Sequence, residues 1–167
     1  MTPILPFLKS IISISGVSGY ETPVAALIEE KWRPLVDEVT TSRVGSLHGL
    51  KKGSGKGAAL SKSKGNRPAI MIATHMDAIG MMVTKVADGF LHITKVGGID
   101  VRVLPGTPVT VHANSGEELP GVIVMPSAKL LPESVNNSDV LDIAYLLVDT
   151  GLTPREVEKK VRVGDLV

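Results

Sequence analysis

The sequence predicts an α/β fold that gives way, near residue 80, to a β-rich module. Three observations carry this expectation. Two helical stretches precede a short apolar run, Ala69-Ile70-Met71-Ile72-Ala73, which is flanked by breakers and too short for a helix. After Gly80 the pattern changes to short alternating segments separated by Gly, Pro, Asn and Asp clusters, the spacing of small all-β modules. Close to the C-terminus, Thr153-Pro154-Arg155-Glu156 has the form of a capping box with proline at the first helical position.

In chain order, Ile4, Leu5, Leu8, Ile11 and Ile12 fall at i, i+1, i+4, i+7 and i+8, one face of an amphipathic helix. Pro3, Pro6, Lys9 and Ser10 interrupt this apolar stretch, so it reads neither as a signal peptide nor as a membrane span. A second helix is announced by Thr22 as N-cap and Pro23 at the first helical position. Its apolar stripe is Val24, Leu27, Ile28, Trp32 and Leu35, and it stops before or at Pro34. Val36 to Thr40 is expected as a short strand. From Thr41 to Met76 there is no acidic residue, and the Gly, Ser and Lys rich centre of that stretch, Gly53 to Asn66, reads as a mobile, solvated hairpin loop.

Ala69 to Ala73 is expected as a strand buried on both faces, with Thr74, His75, Met76 and Asp77 at its C-terminal end. Strands are then expected at Met82 to Val86, Phe90 to Val96, Val109 to His112, Val122 to Met125 and Val140 to Val148. A two-turn helix after Thr153 follows, before Val161 to Val167 returns to strand, and the chain is expected to stop inside that strand with further sequence missing. A domain boundary is expected near Ala78 to Met82.

Composition narrows the function classes. The chain has 167 residues, 18 Lys plus Arg against 17 Asp plus Glu, and 43% apolar residues, which is globular composition sufficient for one domain or two small ones. A net charge of +1 and few aromatic residues argue against general nucleic-acid binding. Without cysteine there is no disulfide framework, thiol catalysis or Cys-ligated zinc, and the composition fits a cytoplasmic protein with neither nucleic-acid nor membrane partners. The glycine-rich stretch is not a P-loop, because Gly55-Lys56 is followed by Gly57 and preceded five residues earlier by Leu50. The dinucleotide fingerprint fails too, since no helical pattern follows Gly57 and no acidic residue lies about 20 residues on.

His75-Met76-Asp77 is the sharper feature. Alternation places His75 and Asp77 on the same side, where a neutral imidazole nitrogen can bind zinc or cobalt and a carboxylate two residues on can orient the ring. On spacing alone the plainer account is a His and an Asp that satisfy each other at a strand end. His48, His92 and His112 are isolated, each expected to face solvent or a neighbouring strand, and no second cluster completes a two-metal site.

Four segments, in matching order and spacing, resemble the M42 family of metal-dependent aminopeptidases. They are Ser15-Gly16-Val17-Ser18-Gly19-Tyr20-Glu21, the run from Ala73-Thr74-His75-Met76-Asp77 to Val83, Gly97-Gly98-Ile99-Asp100 to Gly106, and Leu119-Pro120-Gly121-Val122-Ile123. Val148-Asp149-Thr150-Gly151 and Val161-Arg162-Val163-Gly164-Asp165 also look like family segments. The resemblance implies an incomplete α/β/α metallopeptidase domain with an inserted small β-rich, barrel-like dimerisation domain. Residues 1–80 would be the N-terminal part of the catalytic domain, 81–160 the dimerisation domain, and 161–167 the return strand.

The resemblance also implies two divalent metal ions, usually zinc or cobalt, with His75 as a ligand of one and Asp77 as the catalytic-site residue that orients the ligand shell and tunes the bound water. Peptides would be the substrates. The implied partners are further copies of the chain through the β-rich domain, or a second polypeptide that supplies the rest of the catalytic domain. Ala78 stands where the family usually has glutamate, and Arg43-Val44-Gly45-Ser46 where it usually has a Gly-Asn pair after an aspartate. The family's bridging aspartate, Glu-Glu pair and remaining ligands have no visible counterpart, so the alternative is a non-catalytic oligomerisation or interaction module.

Overall fold

The computed structural model describes residues 4–53, 69–132 and 142–167. The expected loop beyond Gly53 and the start of the expected strand at Val140 lie outside the described residues. The chain divides into two compact units between Asp77 and Ala78. Among the described residues no helix is long and apolar enough to cross a membrane.

The first unit holds α1 (Ile4–Ile12), α2 (Thr22–Trp32) and an antiparallel hairpin of β1 (Glu38–Thr41) and β2 (Leu47–Leu50). The hairpin closes through Ser42, whose N–H donates to the Ser46 carbonyl and whose hydroxyl accepts the Ser46 N–H at 3.1 Å. α2 begins one residue earlier than its sequence suggests. Glu21 is the N-cap, Thr22 makes no cap, and Pro23 falls at the second position, where it still needs no N–H partner. Of the apolar stripe on α2 only Val24 is fully buried, and α1 has no buried residue.

The expected strand at Ala69 to Ala73 is not formed. Ile70, Met71 and Ile72 are 94%, 89% and 90% exposed, and the segment joins no sheet. A strand buried on both faces needs a neighbour along each edge and a layer against each face. The described part of this unit offers a single two-stranded hairpin, whose own edges take up no third strand. The β-branched residues supply the propensity, but they have no ladder to enter.

The second unit holds a five-stranded antiparallel sheet in the order β3-β4-β7-β6-β5, built from β3 (Gly80–Ala87), β4 (Phe90–Val96), β5 (Pro108–His112), β6 (Glu118–Val124) and β7 (Leu147–Asp149). β3 and β4 join through Asp88-Gly89, both at positive φ, the two-residue turn whose twist matches the flanking strands. Alternation then sets the faces. Met81, Val83, Leu91, Ile93, Val111, Leu119, Ile123 and Val148 point inward and form one buried cluster with Leu104, Ile143, Leu146, Val157 and Val161.

The C-terminal segment completes this sheet. Val167 exchanges N–H and carbonyl with Met81 on β3 at 2.8 Å in both directions, while the Leu166 carbonyl accepts the His112 N–H of β5 at 2.8 Å. The two outer strands are thus bridged at one end through residues 165–167, and the sheet curls into a half-barrel. α3 (Pro154–Lys160) plugs the core with Val157. Its start is the expected capping box, in which one Glu156 oxygen accepts both the Thr153 N–H at 2.9 Å and the Thr153 hydroxyl at 2.6 Å.

Val161 to Val167 forms no strand but only an isolated bridge at Leu166, because the Asp165 N–H turns back onto the Arg162 carbonyl. Two further strand expectations need correction. β6 starts at Glu118, four residues before the expected Val122. Pro120 is tolerated there because β7 opposes only Val122 to Val124, leaving Pro120 with a strand on one side alone. Gly121 lies where β7 crosses closely, an added Cβ falling 2.7 Å from Val148 Cγ1. In the second case, β7 is confined to Leu147–Asp149, because Asp142 accepts the Ala144 N–H and turns Ile143–Tyr145 into a 3-10 helix.

A similar cap opens the 3-10 turn Val101–Val103. The Asp100 carboxylate accepts the Arg102 N–H at 3.1 Å and the Arg102 guanidinium at 2.9 and 2.7 Å. The guanidinium hydrogen bond, helped by the backbone N–H, brings the Asp100 pKa from its ordinary 3.8 down to about 2. The folded value lies below the unfolded one, so the stabilisation is complete above about pH 4 and lost as the pH falls toward 2. A carboxyl-carbon NMR titration should place the Asp100 midpoint near 2, moving upward with added salt because the pair is exposed. A midpoint near 4 would mean that the pair does not form.

Candidate functional site

The turn between α1 and α2 carries Ser18 and is held firmly. Val17 is 5% exposed, its carbonyl accepts the Tyr20 N–H at 2.8 Å, and the Gly19 N–H donates to Glu21 Oε1 at 2.7 Å. Gly16 lies against α2 so closely that a Cβ there would stand 2.5 Å from Val24 Cγ2. From this turn the Ser18 hydroxyl donates to Asp77 Oδ2 at 2.5 Å, across a separation of 59 residues.

The other Asp77 oxygen faces His75. Nδ1 of the ring lies 3.1 Å from Asp77 Oδ1 and 3.1 Å from the Asp77 carbonyl oxygen. Neither oxygen can donate, so Nδ1 carries the proton in the neutral ring and Nε2 holds the free lone pair. The His75 side chain is 85% exposed, which leaves Nε2 open to a ligand. The Ser18 hydroxyl is the main reason that the Asp77 carboxyl titrates below its ordinary value. Desolvation opposes it, and the hydrogen bond from His75 adds to the lowering. Asp77 is therefore a carboxylate at neutral pH.

His75 and Asp77 thus satisfy each other, and they do so in the arrangement that leaves Nε2 free. A cleft of about 270 Å³ adjoins them, lined among others by Glu21, Ile28, Trp32, Leu47 and Met76. Val44, Gly45 and Ser46 of the β1–β2 turn also line it. The remaining histidines lie elsewhere, His48 on β2, His92 on β4 and His112 on β5, where His112 Nδ1 stands 3.5 Å from Glu118 on the paired strand.

These residues fit part of a metal site. One neutral imidazole nitrogen is available, and its other nitrogen is held by a carboxylate, the outer-shell arrangement that fixes tautomer and raises ligand basicity. Among the described residues no group of three or more His, Cys, Asp or Glu side chains is placed to hold a metal ion. Sequence reasoning missed Ser18. Its Gly-flanked turn marks a conformational constraint, but nothing local signals a partner so distant along the chain.

Comparison with known proteins gives a consistent result. The family model described as M42 glutamyl aminopeptidase matches residues 55–167. A lysyl aminopeptidase of Pyrococcus furiosus is 29% identical over 163 residues, covering 95% of this chain and 43% of that protein. The crystal structure of a TET aminopeptidase from a marine-sediment Thaumarchaeota archaeon is similar with a TM-score of 0.80 and 28% identity, over 97% of this chain and 43% of that one. A TET1 peptidase of Pyrococcus horikoshii, described as assembling into a tetrahedron or a large octahedral shell, gives a TM-score of 0.74 and 28% identity, over 98% of this chain and 46% of that one. The chain spans less than half the length of each of these relatives.

Proposed function

The chain belongs to the M42 glutamyl aminopeptidase family, and from that premise we propose that it contributes a metal ligand and its orienting carboxylate to an aminopeptidase that releases N-terminal residues from peptides. The observation that carries this reading is the Asp77–His75 pair, in which the carboxylate occupies Nδ1 and leaves an exposed Nε2. His75 would hold one of two divalent ions, zinc or cobalt, through Nε2. When bound, such ions supply Lewis-acid activation of water and of the scissile carbonyl. Asp77 keeps the ring in the ligating tautomer and lends it negative charge, while the other ligands and the general base come from residues beyond those described.

A zinc titration followed by NMR of the histidine rings tests this assignment. His75 Nε2 should respond before His48, His92 and His112, and His75→Ala should weaken apparent zinc affinity by at least about tenfold. An unmoved His75 ring, or unchanged affinity in the variant, would remove it from the ligand set.

In the same reading the β-rich unit, residues 81–160 with 161–167 as the return strand, is a dimerisation domain inserted into an α/β/α metallopeptidase domain that begins with residues 1–80. Its outer face supports this. Cross-strand register sets Pro108, Val122, Asp149 and Phe90 in one row, with Val122 41% and Phe90 36% exposed. This row also favours the second reading, an association module without catalysis, because a homo-oligomer formed there needs no metal site. Native mass spectrometry tests the interface that both readings share, since association should be reduced by Val122→Lys and retained by His75→Ala, while the zinc titration separates the two. An assembly insensitive to Val122→Lys would place the interface elsewhere.

A further inference from the structure

The position of Asp77 poses a question that the metal-site reading does not answer. A carboxylate that is 37% exposed gains little orientation from a ring that is 85% exposed, since both side chains can rotate into water. The fixed element is on the opposite side. Ser18 is part-buried in a turn pinned by the buried Val17, by two hydrogen bonds and by the contact of Gly16 with Val24. Its one hydroxyl proton goes to Asp77 Oδ2. With Oδ2 held, Oδ1 is directed at His75 Nδ1.

We propose that Ser18 is the positioning residue of this site: its hydroxyl fixes the Asp77 carboxylate, which in turn holds neutral His75 as the Nδ1–H tautomer with Nε2 outward. Constraint runs from the turn to the carboxylate and from the carboxylate to the ring. Ser18 acts through Asp77. The requirement is for a hydroxyl donor at this point in space, so threonine should serve and alanine should not. The functional meaning rests on His75 being a ligand, but the hydrogen-bond relay is a property of the metal-free chain and can be tested there.

The experiment reads the ring-nitrogen shifts of His75 by long-range proton–nitrogen NMR, without metal and at a pH where the ring is neutral. The natural chain should show predominantly the Nδ1–H form. Ser18→Ala should lower the Nδ1–H to Nε2–H ratio by about three- to tenfold, the equilibrium change that one hydrogen bond is worth, and Ser18→Thr should restore it. An unchanged ratio in Ser18→Ala, or an Nε2–H ring in the natural chain, would overturn the relay.

Should Ser18→Ala lose the fold of the first unit, Ser18→Cys takes its place. Its weaker donor should give an intermediate ratio, and a ratio equal to that of the natural chain would again overturn the proposal. The zinc titration is independent of this outcome. A relay that fails while zinc still finds His75 removes Ser18 alone, whereas a relay that holds while zinc ignores His75 removes the ligand assignment.

Discussion

Replacing Ile123 by alanine should destabilise the β-rich unit by about 2–5 kcal/mol, the range for truncating a fully buried aliphatic side chain. Ile123 is 0% exposed near the C-terminal end of β6, directly opposite Val148 of β7. Its N–H donates to the Thr107 carbonyl at 3.0 Å and its own carbonyl accepts the Gly106 N–H at 2.8 Å, so the backbone is tied on the β5 side as well. A strand tied on both edges cannot move in to fill the space that the missing carbons leave, which points to the upper part of that range. Ile123→Val should cost only about 0.5–1.5 kcal/mol. Urea unfolding followed by amide NMR of β6 and β7 measures both, because the sole tryptophan, Trp32, reports on the other unit. A loss below about 1 kcal/mol for the alanine variant would show that the core collapses around the gap.

Asp165→Ala should cost nearly as much by a different route. Asp165 is buried, at 6% exposure, and its two carboxylate oxygens accept the Asn114 N–H at 3.1 Å and the Arg162 N–H at 2.9 Å. Each hydrogen bond to a charged acceptor is worth about 1.5–3 kcal/mol, and truncation leaves both donors without it, so a loss of about 3–5 kcal/mol is expected. Asp165→Asn keeps one acceptor oxygen and should lose less. The position gives the change a signature. Asp165 joins the end of β5 to the segment that bridges β3 and β5, so hydrogen exchange at Met81, Val83, His112 and Val167 should accelerate before exchange elsewhere in the sheet. Exchange that rises evenly across the unit would mean that Asp165 does not hold the closure. Opened edges on β3 and β5 would also raise the tendency to aggregate.

The parts of this fold that could be read along the chain share a short range. β4 occupies Phe90–Val96 as expected, α1 runs from Ile4, and the capping box of Thr153 and Glu156 forms as its four residues specify. In each case the information lies within a few residues: an alternation, a periodic stripe, a cap and its partner three positions on. The start of β6 is not legible in this way, because Leu119-Pro120-Gly121 has breakers in place of an apolar alternation. Its place in the strand depends on where β7 ends and on how closely Val148 approaches, facts set by a partner strand more than 20 residues away.

The candidate site divides in the same way. His75 and Asp77 stand two residues apart, and their mutual hydrogen bond could be anticipated from that spacing, whereas Ser18 reaches Asp77 only because the turn before α2 is folded against it. The sequence by itself determined α1, β4, the capping box and the pairing of His75 with Asp77, because the interactions responsible close within a few residues of chain. Tertiary structure alone decided that Ser18 reaches that pair, that Asp165 ties Asn114 to the segment bridging β3 and β5, and that the apolar run at Ala69 to Ala73 joins no sheet. Each of these depends on which distant backbone comes within hydrogen-bonding reach, and propensity and spacing carry no information about that.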